Sequence, residues 1–182
     1  MTITIVGLGP GDPRHLTRQA WDLLMTAKEV HLRTKEHPAV KALPKHLTVH
    51  SFDHVYERAE CFETVYDTIA KQVVDLGRRP QGVLYGVPGH PLVGESSVLK
   101  VLELGRRGGL EVHIVNGLSF LEPTLSLLGH DALDGLQMVD ATDLAAAHHP
   151  TVDPDRPVLL GQLYSQKLAS EVKLTLMNPY PD

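Results

Sequence analysis

The sequence begins with a stretch that predicts its fold: TITIVGLGPGD, residues 2–12. Thr2–Val6 is a compact β-branched run, which is typical of a strand, and it stops at Gly7. The glycines that follow allow positive φ angles and let a ligand approach the backbone closely. Apolar residues then recur at helical spacing, at Leu16, Ala20, Leu23, Leu24 and Ala27. We interpret this region as a strand, a glycine-rich loop and a helix in succession.

The alternation of strand and helix continues along most of the chain. Further strands are predicted at Glu29–Arg33, Thr48–Phe52, Gly82–Tyr85 and Glu111–Val115. The clearest helix has one apolar face, made by Phe62, Val65, Ile69, Val73 and Leu76. Because parallel strands need crossover connections, this alternation predicts an α/β fold with a doubly wound, mainly parallel sheet.

A second, smaller region follows the first. Its predicted elements are strands at Gln137–Asp140 and Val158–Tyr164 and a helix at Lys167–Met177. We therefore predict an N-terminal α/β domain over residues 1–117 and the start of a second α/β domain over residues 118–182. Two or three elements cannot make a good sheet alone, so we expect the second domain to be incomplete, as in a truncated unit.

Composition and charge exclude several classes of protein. The chain has 182 residues, of which 42% are hydrophobic and 21% charged, so a sizeable core is expected. Lys+Arg 17 against Asp+Glu 22 gives a net charge of -5, which argues against a nucleic-acid-binding protein. The single cysteine, Cys61, excludes a disulfide framework. No apolar run reaches the roughly 18–20 residues that cross a bilayer, and we recognise no signal peptide, so we expect a cytoplasmic protein without membrane contact.

Two more loops directly follow predicted strands. Residues 85–97 read YGVPGHPLVGESS, a stiff path that exposes backbone groups and suits a neutral or zwitterionic ligand. Residues 115–120 read VNGLSF, in which Ser119 can cap a helix that begins at Phe120. We expect Ser96 and Ser97 to cap the helix after the longer loop. In open α/β sheets, ligands bind at the carboxyl ends of the strands, where these loops lie.

Several other sites are not favoured. The first loop superficially resembles the dinucleotide fingerprint G-x-G-x-x-G, but Asp12 stands at the sixth position and Pro10 lacks an N–H. Asp12 and Thr17 are instead candidate N-caps for the following helix. No Walker lysine follows, and Ser119 lacks the G-x-S-x-G elbow of hydrolases. The 11 histidines include no H-E-x-x-H, so we expect no metal site.

Taken together, the three loops resemble those of the tetrapyrrole methylases, a family of S-adenosylmethionine-dependent methyltransferases built from two α/β domains. That family has a strand followed by G-x-G-P-G-D, then a G-D-P or G-H-P loop, then a P-G-x-S-S-type turn. The corresponding residues here are Gly7–Asp12, Gly89-His90-Pro91 and Asn116–Phe120. The motifs occur in order along essentially the whole chain. His90 replaces an acidic residue of many members, and Asn116-Gly117 replaces the usual P-G.

The resemblance implies a cofactor site and an acceptor entrance. S-adenosylmethionine would lie in a cleft between the domains, folded against the loops. The implied cofactor contacts are Pro10, Pro88, Gly89, His90, Val93, Ser119, Phe120, Gln162 and Leu163. The loop of Gly9, Gly11 and Asp12 would border the entrance of a small-molecule acceptor. His90 and Asp12 are the candidate catalytic bases if the acceptor must lose a proton.

Three stretches resemble a subgroup of the family that is fused to a MazG-type nucleotide pyrophosphohydrolase. They are residues 56–62, 87–95 and 169–177. The resemblance also implies a homodimer and a second domain that continues beyond residue 182. A methyltransferase with an unidentified acceptor is the leading hypothesis. The alternative is a non-catalytic regulatory or docking module of a MazG-type enzyme, because fold alone does not establish function.

Overall fold

The computed structural model describes residues 1–57 and 62–179. Residues 58–61, which include Cys61 and part of the predicted subgroup motif at 56–62, lie outside the described residues. The chain forms two compact units that divide between Thr124 and Leu125. This division falls within a helix, a little after the boundary predicted at residue 117. Within the described ranges, no helix is both long enough and apolar enough to span a membrane.

The first unit is built on a parallel sheet. Its five strands are β1 Thr2–Gly7, β2 Glu29–Leu32, β3 Thr48–Ser51, β4 Val83–Val87 and β5 Glu111–Val115. They lie in the order β3-β2-β4-β1-β5, and each neighbouring pair is parallel. The predicted α/β class and parallel sheet are confirmed. β1 lies between β4 and β5, so the segments that follow these three strands leave the sheet side by side.

Helices cover both faces of this sheet. They are α1 Arg18–Thr26, α2 Asp53–Tyr56, α3 Phe62–Gly77 and α4 Ser96–Arg107. A further helix, α5 Leu121–Leu128, spans the division between the two units. Ile3 and Ile5 of β1 are buried on one face with apolar residues of α3 and α4. Val6 packs on the other face with Ala20 of α1 and Val115 of β5. Each fully buried aliphatic side chain of this kind contributes about 1.5–3 kcal/mol to the hydrophobic stabilisation of the fold.

Two of the predicted N-caps, at Asp12 and Thr17, are present in the structure, whereas the cap predicted at the start of α4 is not. Thr17 caps α1, because its hydroxyl accepts from the Ala20 N–H at 3.2 Å. Asp12 caps a separate 3₁₀ turn at Pro13–His15. The prediction that Ser96 and Ser97 cap α4 is wrong: Glu95 occupies the N-cap position and its side chain makes no capping hydrogen bond. Ser97 is instead fully buried and bonds inward to other side chains.

The second unit contains a small parallel pair of strands. β6 is Gln137–Asp140 and β7 is Val158–Gly161, while the helices are α6 Ala141–Ala146 and α7 Gln166–Met177. β7 ends earlier than the predicted Tyr164, since Gln162 takes a left-handed conformation with φ 61°. The core of this unit is formed by Ala141, Leu144, Leu168 and Val172.

Candidate functional site

The three predicted loops meet at the carboxyl ends of β1, β4 and β5. A Cβ placed on Gly7 would lie 2.6 Å from the Gly89 carbonyl oxygen and 2.7 Å from the Gly117 nitrogen. A Cβ placed on Gly117 would in turn lie 2.9 Å from the carbonyl carbon of Gly7. These separations are shorter than real Cβ contacts, so neither glycine has room for a side chain. The backbones of the three loops are therefore in direct contact.

Gly9 and Gly89 join the first two loops through the backbone. The Gly89 N–H donates to the Gly9 oxygen at 2.7 Å, and the Gly9 N–H donates to the Gly89 oxygen at 3.3 Å. Both polar groups of Gly89 are thus engaged by the protein. Its φ is 64°, and nothing lies within 4 Å of the position where a Cβ would stand. Gly89 therefore leaves open space beside its Cα atom. This space, and not a hydrogen bond, is what Gly89 offers to a ligand.

The rest of the second loop is held by its own hydrogen bonds. The Val93 N–H donates to the His90 oxygen at 3.0 Å, and the Leu92 N–H donates to His90 Nδ1 at 3.0 Å. Pro88 and His90 are half-buried. Because a neutral imidazole has one accepting and one donating nitrogen, the bond to Nδ1 leaves the proton of His90 on Nε2. In this arrangement His90 presents a hydrogen-bond donor at Nε2.

The third loop is locked by Ser119 and Glu122. The Ser119 hydroxyl and backbone N–H each donate to Glu122 Oε2 at 2.8 Å, and the hydroxyl accepts from the Leu121 N–H at 3.0 Å. Desolvation would raise the pKa of Glu122, but the hydrogen bonds from Ser119 lower it. Ser119 therefore caps the helix, as predicted, although α5 begins at Leu121. Phe120 is half-buried, and its carbonyl accepts from Thr124.

Asp12 in the first loop is engaged by Arg14. Its carboxylate accepts from the Arg14 backbone N–H at 2.9 Å and pairs with the guanidinium at 2.6 Å. The side-chain hydrogen bond of Arg14 lowers the pKa of Asp12 to about 2. Such a carboxylate is a weak base near neutral pH. Of its neighbours in the loop, Pro10 is half-buried, and Gly9 and Gly11 are buried with positive φ.

A buried polar network lies behind the second loop. Glu95 is only 7% exposed, and its carboxylate pairs with Arg33 Nε at 3.0 Å and accepts from the Ser97 hydroxyl at 2.9 Å. The Ser97 hydroxyl lies 2.8 Å from the hydroxyl of Tyr85 on β4. Burial raises the pKa of Glu95, and Arg33 and Ser97 oppose that rise. The network fixes the end of the loop to Arg33, which directly follows β2, and to Tyr85 of β4.

The remaining predicted contacts belong to the second unit. Gln162 and Leu163 follow β7 directly, and the Tyr164 N–H donates to the Gln162 oxygen at 3.0 Å. Among the described residues, Gln162 is the non-glycine residue with a positive φ, and Leu163 is 47% exposed. Strained backbone of this kind concentrates at functional sites. A cofactor role for Gln162 and Leu163 stays a prediction.

The chain belongs to a known family. The family described as Tetrapyrrole (Corrin/Porphyrin) Methylases matches residues 2–180. The family resemblance drawn from the three loops is therefore confirmed, whereas membership of the MazG-fused subgroup stays a prediction.

A curated protein of Bacillus subtilis is similar to almost the whole chain. The chain is 40% identical over 186 residues to Uncharacterized protein YabN of Bacillus subtilis (strain 168), a match that covers 99% of this chain and 36% of that protein. The chain thus spans little more than a third of that relative's length.

Two solved structures share the fold. Uroporphyrin-III-C-methyltransferase from Thermus thermophilus has 27% identity and a TM-score of 0.63, covering 87% of this chain and 67% of that chain. A complex of a uroporphyrin-III C-methyl transferase from the same organism with S-adenyl homocysteine has 23% identity and a TM-score of 0.51. That match covers 78% of this chain and 59% of that chain.

Proposed function

We propose that this chain is an S-adenosylmethionine-dependent methyltransferase domain whose cofactor lies against the three loops of the first unit. The observation that carries the proposal is the convergence of Gly7, Gly89 and Gly117 at the carboxyl ends of adjacent strands. This edge of an open parallel sheet is where such folds bind ligands. Membership of a methylase family supports the same assignment.

The residues present fit a cofactor of this kind. The open space at Gly89 accommodates a ligand atom where any other residue would place its Cβ. The Gly9–Gly89 bonds hold the first two loops together, and the Ser119–Glu122 bonds fix the third loop, before a ligand arrives. Preorganised loops of this kind reduce the ordering cost of binding.

When bound, S-adenosylmethionine would supply the methyl group of its sulfonium: the acceptor atom would form a bond to the methyl carbon in line with the breaking S–C bond, and S-adenosylhomocysteine would leave as a neutral thioether. Strong electrophilic groups are therefore unnecessary, and what the protein contributes is position. Holding donor and acceptor near contact distance is worth about 7–11 kcal/mol of the barrier. The rigid backbone of the three loops performs that task, and the Nε2–H of His90 orients an acceptor by donating a hydrogen bond.

Binding without turnover is the second candidate function, as in a regulatory or docking module of a larger, MazG-type protein. One observation favours it: neither predicted base is poised to accept a proton. The pKa of Asp12 is lowered to about 2 by Arg14, and His90 Nδ1 already accepts from Leu92. An acceptor that requires deprotonation would need a base from elsewhere.

Two glycines provide a matched test of the cofactor site. Gly89 and Gly109 have φ of 64° and 70°, and nothing lies within 4 Å of either Cβ position. Gly89→Ala and Gly109→Ala therefore carry the same backbone cost, but Gly109 lies outside the three loops. In calorimetric titrations with S-adenosylmethionine and S-adenosylhomocysteine, we expect at least about tenfold weaker binding for Gly89→Ala and unchanged binding for Gly109→Ala.

Two outcomes separate the candidates. Formation of S-adenosylhomocysteine with a candidate acceptor supports the methyltransferase, and tight binding without product across acceptor classes supports the module. Absence of binding at about 1 mM ligand would overturn both.

A further inference from the structure

A second cluster of chemically active side chains lies away from the three loops, on strands β2 and β3. Glu29 and His31 are two residues apart on β2, so their side chains share one face of the sheet. His50 on β3 is the direct parallel partner of His31. The two imidazoles are stacked, with ring centroids 4.6 Å apart and 18° between the planes. Topology thus brings two imidazoles and one carboxylate to the same place.

The polar atoms of this cluster face one another without bonding. His31 Nε2 is 3.9 Å from Glu29 Oε1, and His50 Nε2 is 3.7 Å from Glu29 Oε2. Both separations exceed hydrogen-bond length. His31 is only 9% exposed, and its buried Nε2 has no hydrogen-bond partner. A buried nitrogen left in this state costs free energy, so a ligand that satisfied it would be favoured.

An open cavity of about 510 Å³ adjoins the cluster. His31 and His50 line it, together with His54, Gln72 and Asp75. The cavity gives a solvent ion access to the cluster and leaves room for water or another ligand beside it. The cluster lies on β2 and β3, at one edge of the sheet, whereas the three loops follow β4, β1 and β5.

We propose that Glu29, His31 and His50 bind a divalent transition-metal ion of the zinc class. Two imidazole nitrogens and one carboxylate oxygen are a ligand set that Zn²⁺ accepts, with a fourth position open to the cavity. The three ligand atoms all lie within 4.8 Å of one another. Zn–N bonds of about 2.0–2.1 Å require them to draw together by roughly an ångström. Glu29 and His50 retain 31% and 47% side-chain exposure, so both can turn toward the ion.

Arg79 restricts how the carboxylate can act. Its guanidinium donates to Glu29 Oε1 at 2.6 Å. Oε2, which faces His50, is therefore the oxygen that coordinates, and the carboxylate binds through one atom. The positive charge of Arg79 opposes the ion, which favours a metal with strong imidazole affinity over a hard cation such as Mg²⁺.

The test uses the untagged chain, stripped with a chelator and titrated calorimetrically with ZnCl₂. We expect one zinc per chain, and at least about tenfold weaker binding in His50→Gln and in Glu29→Gln. His50 is half-exposed, so its replacement avoids the folding risk of changing buried His31. Cobalt substitution gives an independent readout, because a four-coordinate Co²⁺ with these ligands has intense visible absorption that His50→Gln would lose.

His113 is the matched control. It lies on β5, and its Nε2 is 3.1 Å from Glu111, so it is another histidine–carboxylate pair on a strand. His113→Gln should bind zinc as the parent does. Absence of binding at about 100 µM zinc, unchanged affinity in His50→Gln, or an equal loss in His113→Gln would each overturn the proposal.

Discussion

Gly9 and Gly89 are joined by two backbone hydrogen bonds, of 2.7 and 3.3 Å, although they belong to loops that follow different strands. The bridge is antiparallel, unlike the parallel pairing of β1 with β4 that precedes it. Its two hydrogen bonds occupy both the backbone N–H and the carbonyl group of Gly89. A ligand at this edge therefore meets a preformed surface, which is the basis of the predictions for the three loops.

The first prediction concerns the contact between the loops. In Gly7→Ala, the new Cβ meets the backbone of Gly89 and Gly117, which cannot move like the end of a flexible side chain. We expect the free energy of unfolding to fall by about 2–3 kcal/mol in urea denaturation. Gly108→Ala is the control, because Gly108 has a negative φ and ends a helix. Equal stability of the two variants would contradict the close approach.

The second prediction concerns the lock on the third loop. Glu122→Gln replaces the carboxylate that accepts both Ser119 bonds, and we expect a loss of about 0.5–2 kcal/mol at neutral pH. The folded-state pKa of Glu122 is lowered, so its contribution is present above the ordinary glutamate pKa of about 4.3. The contribution is lost as the pH falls through the folded pKa. If the stability difference between Glu122→Gln and the parent did not become smaller in acid, the result would contradict a stabilising role for the Ser119–Glu122 hydrogen bonds.

The third prediction concerns Asp12. The Arg14 contacts lower its pKa to about 2, so it stays ionised through the range in which enzymes are usually assayed. The stability that it adds is present above the ordinary aspartate pKa of 3.8 and is lost as the pH falls toward 2. Carbon-detected NMR titration of the side chain should give a midpoint near 2 in the parent and a higher one in Arg14→Ala. A parent midpoint near 4 would show that the ion pair does not form.

The fourth prediction concerns the buried pair of Arg33 and Glu95. Arg33→Met leaves a carboxylate buried without its cation, which should cost about 3–5 kcal/mol of unfolding free energy. Because the pKa of Glu95 is raised in the fold, the loss should diminish as the pH is lowered and the carboxyl takes up a proton.

The double variant Arg33→Met/Glu95→Gln is the control for this pair, since it removes the buried charge. Urea denaturation at two pH values should show it recovering part of the lost stability. A double variant that is no more stable than Arg33→Met would argue that the pair is not coupled.

The fold could be predicted from the sequence because β1 and β5 are rich in β-branched residues and α3 has a single apolar face. β4 extends further than predicted, because Gly86 and Val87 pair with Val6 and Gly7. Because glycine is depleted in strands, strand propensity predicts that the strand ends before Gly86. Pairing with a neighbouring strand nevertheless extends the strand past this glycine. Only the assembled sheet supplies that pairing.

The candidate site could be predicted in part. Glycine and proline after the strands indicated the loops, but not that the polar groups of Gly89 are already used. Glu122 carried a readable signal, since S-x-x-E at a helix start is a capping box. The inward turn of Ser97 toward Glu95 carried no such signal, because it depends on Tyr85 of another element.

The cluster of Glu29, His31 and His50 lay beyond sequence reasoning for a different reason. Motif searches look for ligands at fixed spacing within one helix or loop, as in H-E-x-x-H. Here the ligands come from two strands, and His31 meets His50 only through the parallel register of β2 and β3.

Amide NMR with S-adenosylhomocysteine tests the central claim most directly, because each loop carries its own reporter. With the ligand added to the isotope-labelled chain, we expect the largest shift changes at the amides of Gly9, Gly89 and Ser119. Gly109, at the other end of α4, should stay unchanged. Shift changes confined to residues outside the three loops, or no changes at a saturating ligand concentration, would contradict the account.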